Sequence, residues 1–309
     1  MLIEKTLPKV SVGLPTYNRA ATLKQAIDTV LNQDYTNIEL VISDNASTDK
    51  TREVCEEFGC KDKRVKYIRQ VYTLSPTANF NEVLDSSSGE FFMWLSDDDW
   101  LDYSYISECT KVLISEDDVS LVSGHVKYYN QDDFIFEGRR LNLLQNSGIG
   151  RMLDYYSKVK DNGTFYGVIR RKDLNNVTIT NAIGSDFLIV AAVAFLGKIK
   201  TLNNISVHRR LGGISHSWEK TASALSLSRF EKSFPILSIA INAFKDIAWR
   251  MPVFFKLGKG KRYLVASEVF FLILATKSLP ALVKKSAKSV LTLFVGDKRV
   301  EKIKSFLIG

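Results

Sequence analysis

The chain has 309 residues, of which 45% are hydrophobic and 25% charged, an ordinary composition for a globular protein with a sizeable core. The formal net charge is +8, but residues 256–309 alone carry twelve Lys and Arg against three Asp and Glu. The basic character therefore belongs to the end of the chain, which argues against a nucleic-acid-binding core. The start lacks the apolar segment of a signal peptide, and no run of about 18 apolar residues occurs, so we expect a cytoplasmic protein without a conventional membrane span.

Apolar runs typical of strands alternate with helical patterns over the first hundred residues. The pattern predicts strands at residues 9–14, 38–43, 64–68 and 90–95. It predicts helices at residues 19–33 and 77–84, and a polar loop that enters a helix within residues 45–58. Ser47 or Thr48 is the expected N-cap of the second helix. This alternation favours βαβ units and a mostly parallel sheet flanked by helices.

The pattern is looser after residue 102. A helix is predicted at residues 103–114, followed by strands at 119–122, 126–129 and 163–170. An apolar helix is predicted at 186–196, and 206–217 reads as a loop rich in hydrogen-bond donors. Beyond residue 220 we expect helices only.

Polar clusters follow three of the predicted strands: PTYN at residues 15–18, SDNAST at 43–48 and SDDD at 96–99. Ligands of parallel α/β sheets bind beyond the carboxyl ends of the strands, so these clusters can share one crevice. Three adjacent aspartates repel one another, and a hard divalent cation such as Mg²⁺ or Mn²⁺ would offset that repulsion and bridge to a diphosphate. A solvated acidic loop and helix N-cap charges are the alternatives.

Other nucleotide motifs are absent from the sequence. No GxxxxGK[ST] occurs and no GxGxxG follows the first strand, which disfavours P-loop and dinucleotide-binding folds. Tyr17 offers a flat aromatic ring for a base, Asn18 a polar partner, and Asp44 an acceptor for a pyrimidine N–H. Each of these residues is equally at home in an ordinary loop.

The segments VSVGLPTYNRAATLKQAIDTVLNQDY, IELVISDNASTD and GEFFMWLSDDDW resemble the inverting GT-A glycosyltransferases of family 2. The resemblance covers roughly residues 8–220. It implies a GT-A catalytic domain at residues 1–220, with a nucleotide-binding half (1–110) and an acceptor half (111–220). Residues 221–309 then form a basic, amphipathic helical extension.

The resemblance also implies roles for the strand-end residues. Pro15, Thr16 and Tyr17 match the segment that lines the nucleotide base, and Asp44 matches the aspartate that reads it. The aspartate triplet matches the D-x-D motif that touches the ribose and holds the metal on the donor diphosphate. We assign Asp97 to the ribose and Asp99 to the metal, with Asp98 as the competing ligand.

The base and a further metal ligand are implied in the second half. Asp186, which opens the apolar helix, matches the catalytic base, and helix N-capping is its structural alternative. Many relatives carry a metal-binding histidine in a segment like YRxHGGxxS, but Leu211 stands there in HRRLGGISHS. His208 is then the preferred ligand over His216, and either is equally a surface histidine. Arg209 and Arg210 are alternative diphosphate ligands.

The resemblance implies a metal-dependent transferase that moves a sugar from a nucleotide-diphosphate donor, usually a UDP-sugar. The acceptor is a saccharide, often linked to polyprenyl diphosphate, in the assembly of O-antigen, capsule or exopolysaccharide. The basic tail predicts peripheral binding to the anionic inner face of the cell membrane, with a packed helical subdomain as the alternative. A nucleotide-sugar-binding relative without turnover and a nucleotidyltransferase are the rival hypotheses.

Overall fold

A computed structural model describes residues 7–212 and 217–278 of the chain. A mixed β-sheet runs through its centre and helices pack on it. Its strands are β1 Val10–Thr16, β2 Ile38–Asp44, β3 Val65–Arg69, β4 Phe91–Trp94, β5 Trp100–Leu101, β6 Val119–Asn130, β7 Asp133–Glu137, β8 Val168–Arg170 and β9 Lys198–Arg210. The predicted α/β class is therefore confirmed.

The helices lie between and after these strands. They are α1 Ala20–Leu31, α2 Thr51–Lys61, α3 Pro76–Asp85, α4 Tyr105–Ser115, α5 Gly148–Lys158, α6 Arg171–Leu174, α7 Ser185–Leu196, α8 Trp218–Ala224, α9 Arg229–Ser233, α10 Pro235–Lys245 and α11 Lys259–Ile273. Short 3₁₀ segments cover Gly163–Tyr166 and Pro252–Lys256, and π turns cover Asp246–Arg250 and Leu274–Ser278.

The strand order is β3-β2-β1-β4-β8-β6-β9-β5, and β7 pairs with β6. The first four strands of this order are parallel to one another, and β6 is parallel to β9. β8 joins these two parallel groups because it runs antiparallel to both β4 and β6. All seven residues of β1 are buried, as expected for a central strand covered on both faces.

The second half of the chain departs from several predictions. The two strands predicted at residues 119–129 form the single strand β6, and β5, β7 and α5 were not predicted. Residues 163–166 form a 3₁₀ turn rather than a strand. Residues 206–210 extend β9 because they pair with β6, a long-range contact that local periodicity does not reveal.

The predicted cap of α2 by Ser47 or Thr48 is wrong. The helix begins at Thr51, whose backbone N–H donates to Asp49 Oδ1 at 2.9 Å. The Ser47 hydroxyl instead accepts the backbone N–H of Asn18 at 2.9 Å, which ties the second polar loop to the first.

The described part of the C-terminal region is helical and packs on the rest of the molecule. α10 contacts α7, and α11 contacts α5, within one continuous hydrophobic core. The helices predicted beyond residue 220 are confirmed as far as residue 278, and residues 279–309 lie outside the described residues. Among the residues that the structure describes, no helix is both long and apolar enough to cross a membrane. The predicted boundary at residue 220 stays a prediction.

Candidate active site

The polar clusters that follow β1, β2 and β4 lie at the same edge of the sheet. β1 is parallel to both neighbours, with Thr16 opposite Asp44 and Gly13 opposite Trp94. Residues 97–99 follow β4 directly, so the parallel register places all three clusters at the carboxyl ends of adjacent strands. This is where ligands of such sheets bind.

The first loop combines a buried base with an exposed aromatic tip. Pro15 and Thr16 are buried, and the Thr16 hydroxyl has no hydrogen-bond partner among the described residues. Asn18 adopts φ 52° and is held by Ser47, so its backbone fixes the loop. Tyr17 is 47% exposed, which leaves its ring available to stack on a planar base.

Asp44 is completely buried at the end of β2 and is bonded on both carboxylate oxygens. Oδ1 accepts the backbone N–H of Ser47 at 2.9 Å. Oδ2 accepts the Tyr67 hydroxyl at 3.0 Å and Arg69 Nη1 at 2.6 Å. A base read by Asp44 would therefore share an oxygen that already accepts a protein hydrogen bond.

Asp97 is buried, and the Thr16 hydroxyl, the Tyr17 backbone N–H and the Arg19 guanidinium lie near its carboxylate. The Nε of Arg19 lies 3.7 Å from its Oδ1. Burial, reinforced by the neighbouring charge of Asp98, raises the pKa of Asp97 to about 7. Asp98 itself is partly exposed, and its carboxylate accepts no hydrogen bond from any residue that the structure describes.

Asp99 is bound to the protein on both oxygens. Oδ2 accepts Arg209 Nε at 3.0 Å, and Oδ1 accepts the backbone N–H of Arg210 at 3.1 Å. Burial raises the pKa of Asp99 to about 6, and the Arg209 guanidinium opposes that rise. Asp99 thus anchors the end of β9, and of the three aspartates Asp98 has the most open carboxylate.

His208 lies on β9 rather than in the predicted loop, and both of its ring nitrogens are engaged. Nε2 is 2.8 Å from Asp102 Oδ1, and Nδ1 is 3.0 Å from the Tyr129 hydroxyl. The ring also stacks on Trp100. A metal role for His208 would require one of these contacts to break, and the alternative ligand His216 lies outside the described residues.

Asp186 lies in the first turn of α7, in the wall of a cavity of about 410 Å³. Gly184 precedes the helix with φ 72°, a left-handed conformation that glycine adopts without strain. Asn162 Nδ2 donates to Asp186 Oδ2 at 3.0 Å. Burial raises the pKa of Asp186, and the hydrogen bond from Asn162 opposes this effect. The site therefore holds an oriented carboxylate that is a stronger base than an exposed one.

Arg209 connects this cavity with the strand-end aspartates. It lines the cavity together with Asp186 and binds Asp99 at the same time. Its Nη2 donates to the Tyr166 hydroxyl at 3.1 Å, and its guanidinium lies over the Tyr166 ring at 4.3 Å. This packing holds the side chain in one place between the two groups of carboxylates.

Several site residues were not predicted from the sequence. They are Tyr67 and Arg69 beside Asp44, Asn162 and Tyr166 beside the Asp186 cavity, and Lys160 and Trp218 in its wall. Tyr67 and Arg69 alternate on β3, a pattern that could have indicated one shared face. For Asn162 no local signal exists, because its partner is 24 residues away.

No group of three or more His, Cys, Asp or Glu within residues 7–212 and 217–278 is arranged to hold a metal ion. A divalent cation at the strand ends would therefore complete its coordination with oxygens of a bound diphosphate. Mg²⁺ sites in nucleotide-binding proteins use this combination of one or two carboxylates with substrate phosphates. The open carboxylate of Asp98 fits such a shared site.

Solved structures place the fold in the GT-A class. S. aureus TarS, residues 1–349 in complex with UDP, matches with a TM-score of 0.59 and 16% identity over 87% of this chain and 72% of that one. The mannosyltransferase PcManGT from Pyrobaculum calidifontis, in complex with GDP-Man and Mn²⁺, matches with a TM-score of 0.56 and 17% identity over 97% and 85%. At these identities the likeness shows the fold alone, and the GT-A prediction is confirmed.

The family follows from the sequence itself. The model of glycosyl transferase family 2 matches residues 11–178, more than half of the chain, and the chain belongs to this family. A relative from Campylobacter jejuni, GalNAc(5)-diNAcBac-PP-undecaprenol beta-1,3-glucosyltransferase, is 32% identical over 171 residues. That match covers 55% of this chain and spans about half of the relative, 54% of its length.

Proposed function

We propose that this protein is an inverting hexosyltransferase that moves a sugar from a nucleotide-diphosphate donor, a UDP-sugar, to a hydroxyl of a saccharide acceptor. The observation that carries the proposal is the position of Arg209. Its side chain binds Asp99 at the strand ends and lines the cavity of Asp186. A donor site and a general base are thus joined through one fixed side chain, as transfer between two substrates requires.

Asp186 is the proposed base. Asn162 orients its carboxylate, and burial raises its pKa, so it is suited to accept the proton of an acceptor hydroxyl. The oxygen then attacks the anomeric carbon from the face opposite the nucleotide. The bond to the diphosphate oxygen breaks as the new glycosidic bond forms, and the configuration at that carbon inverts.

The strand ends are the proposed donor site. Tyr17 stacks on the base, Asp44 lies at its edge, and Asp97 faces the ribose. Asp98 is the ligand we propose for Mn²⁺ or Mg²⁺ in place of Asp99, because its carboxylate is open whereas Asp99 is bound on both oxygens. Such a cation, when bound, stabilises the charge that develops on the leaving diphosphate.

A lipid-linked saccharide is the proposed acceptor. The cavity wall is largely apolar, and it includes Phe80, Phe187 and the half-exposed Trp218, surfaces on which sugar rings stack. The Campylobacter relative is named for an acceptor on undecaprenyl diphosphate. We therefore assign this chain to the assembly of a bacterial surface polysaccharide such as O-antigen or capsule.

We further propose that the protein works in the cytoplasm, bound peripherally to the anionic inner face of the membrane. Trp249 and Phe271 are exposed on the C-terminal helices, at 47% and 67%. Residues 256–309 supply the basic charge that anionic lipids attract.

A donor screen tests the proposal. We expect one nucleotide sugar to raise the melting temperature in the presence of Mn²⁺ and to be hydrolysed slowly, with both effects lost in EDTA. Asp98→Asn should weaken this donor binding. Its control is Asp117→Asn, which changes an exposed carboxylate away from the site. NMR of the transferred sugar reads the anomeric configuration, and retention would contradict the mechanism. Binding without turnover on any acceptor would indicate a non-catalytic family member.

A further inference from the structure

Three cations meet at the edge of the Asp186 cavity, and we name Arg139, Lys160 and Lys277 the cationic rim. Lys160 lines the cavity. Arg139 and Lys277 donate to the two carbonyl oxygens immediately before it, at residues 158 and 159, with Arg139 Nη1 at 3.2 Å from the first. The three side chains are therefore anchored on one short stretch of backbone that leads into the cavity wall.

The rim carries positive charge that the described residues do not neutralise. None of its three members forms an ion pair with a carboxylate in the parts of the chain that the structure describes. Asp161 also lines the cavity, but its oxygens accept the Tyr128 hydroxyl and the backbone N–H of Arg139 rather than a charged group. Asp161 thus forms no ion pair with any of the three cations among the described residues.

Gathering these charges is unfavourable without an anion. Lys277 is partly buried, and its pKa is lowered by burial and then by the charges of Arg139 and Lys160. An anion at the rim would remove this penalty. Lys277 comes from the π turn that continues α11, so the C-terminal region itself supplies part of the cavity edge.

The N–H donors of the rim that form no hydrogen bond within the described residues suit phosphate oxygens as acceptors. A guanidinium has five N–H groups and an ammonium three, so Arg139 and Lys277 retain donors after binding a carbonyl, and Lys160 retains all of its own. Arginine and lysine with free donors are the usual ligands of phosphate groups. No rim residue contacts the strand-end aspartates among the described residues, so the rim is separate from the proposed donor diphosphate site.

We propose that the cationic rim binds the diphosphate that links the acceptor saccharide to its lipid, and so directs the saccharide toward Asp186. This assignment rests on the proposed function. A second source of the same chemistry is the phosphate of an anionic lipid headgroup, and the experiment separates the two.

Pyrophosphate binding to the full chain in EDTA is the first test, measured by calorimetry. The triple variant Arg139→Gln, Lys160→Gln, Lys277→Gln should bind pyrophosphate about tenfold or more weakly than wild type. The matched control Lys63→Gln, Lys111→Gln, Lys172→Gln removes the same charge from exposed sites elsewhere and should stay within about twofold. Equal affinity of the rim variant and wild type would overturn the proposal. Unchanged stabilisation by UDP with Mn²⁺ shows that the variants fold.

Vesicles identify the source of the phosphate. We compare binding to phosphatidylcholine alone and with about 30% phosphatidylglycerol, an anionic lipid. If the rim variant loses binding to the anionic vesicles while wild type does not bind pyrophosphate, the rim is a headgroup site and the acceptor assignment is wrong. We expect wild type to bind pyrophosphate and the rim variant to retain vesicle binding.

Transfer to two acceptors completes the test. One acceptor carries the saccharide on an alkyl diphosphate, and the other carries it as a plain alkyl glycoside. The rim variant should raise KM about tenfold more for the first acceptor than for the second. Equal effects on both acceptors would contradict the proposal. If neither acceptor is used, the proposed function fails, and pyrophosphate binding still decides what the rim binds.

Discussion

The protein contains two groups of like charges, and the two groups differ in the residues that bind them. The strand ends gather Asp44 and the aspartate triplet, and the cavity edge gathers the cationic rim. At the strand ends, Asp44 and Asp99 are each bound by an arginine, the exposed Arg69 and the partly buried Arg209. In the rim, Arg139 and Lys277 bind neutral carbonyl oxygens instead, and Lys160 forms no hydrogen bond with any described residue.

This difference in partners distinguishes charged side chains that stabilise the fold from charged side chains that remain available to bind a ligand. Asp44 and Asp99 hold loops and strand ends through hydrogen bonds on both oxygens, so their charges are satisfied without a ligand. Asp98 and Lys160 make no such bonds among the described residues. We infer that an unpaired charge beside like charges marks the point where a substrate or cation completes the site.

The largest effect is expected at Asp186, which lines the same cavity as Arg209 and Lys160. Asp186→Asn removes the proposed base but keeps the shape of the side chain and one acceptor oxygen. Transfer should fall about 10³-fold, while the affinity for the donor stays unchanged. Single-turnover transfer and donor titration measure the two quantities, with Asp117→Asn as control. Transfer near the wild-type rate would place the base elsewhere.

The pH dependence of transfer tests the same carboxylate in another way. Burial raises the pKa of Asp186, and a base acts only when it is ionised. The rate should therefore fall as the pH drops through this raised pKa, and this acidic limb should disappear in Asp186→Asn. The residual activity of the variant would then depend less on pH than that of wild type. An acidic limb of unchanged shape in the variant would assign it to another group.

A pair of variants at the triplet tests the contrast between bound and open carboxylates. Asp98→Asn should weaken donor binding in Mn²⁺ about tenfold to a hundredfold with little change in stability. Asp99→Asn should instead lower the free energy of unfolding by about 3 kcal/mol, because it leaves Arg209 buried without its counter-charge. Mn²⁺-dependent donor titration and urea unfolding separate the two outcomes. If Asp99→Asn weakens Mn²⁺-dependent donor binding and Asp98→Asn does not, the metal ligand is Asp99.

The sequence predicted the strand-end residues better than their partners. Asp97 and Asp98 lie just after β4, and Asp186 lies in the first turn of α7, where periodicity gives the position of the side chain. The bonds that decide their roles come from residues far along the chain: Arg209 reaches Asp99 across 110 residues. Local patterns carry no information on such contacts, and for the same reason the extension of β9 and the cationic rim were not predicted.

The smallest effect is expected at Asp246, a buried carboxylate whose oxygens form no hydrogen bond among the described residues. Arg250 Nη1 lies 3.5 Å from its Oδ1. Burial raises the pKa of Asp246 to about 6. The folded state therefore binds more protons than the unfolded state between about pH 4 and 6, so this group lowers stability as the pH rises through that window.

Asp246→Asn removes the buried charge and should raise the free energy of unfolding by about 1–2 kcal/mol at about pH 7.5. This gain in the free energy of unfolding should disappear at about pH 4, where the wild-type carboxyl in the folded state is neutral, like the amide of the variant. Urea unfolding at the two pH values measures the difference, and Asp117→Asn controls for the loss of one negative charge. Destabilisation at pH 7.5 would mean that the ion pair with Arg250 outweighs burial, and that Asp246 belongs with Asp99 among the carboxylates that hold the fold.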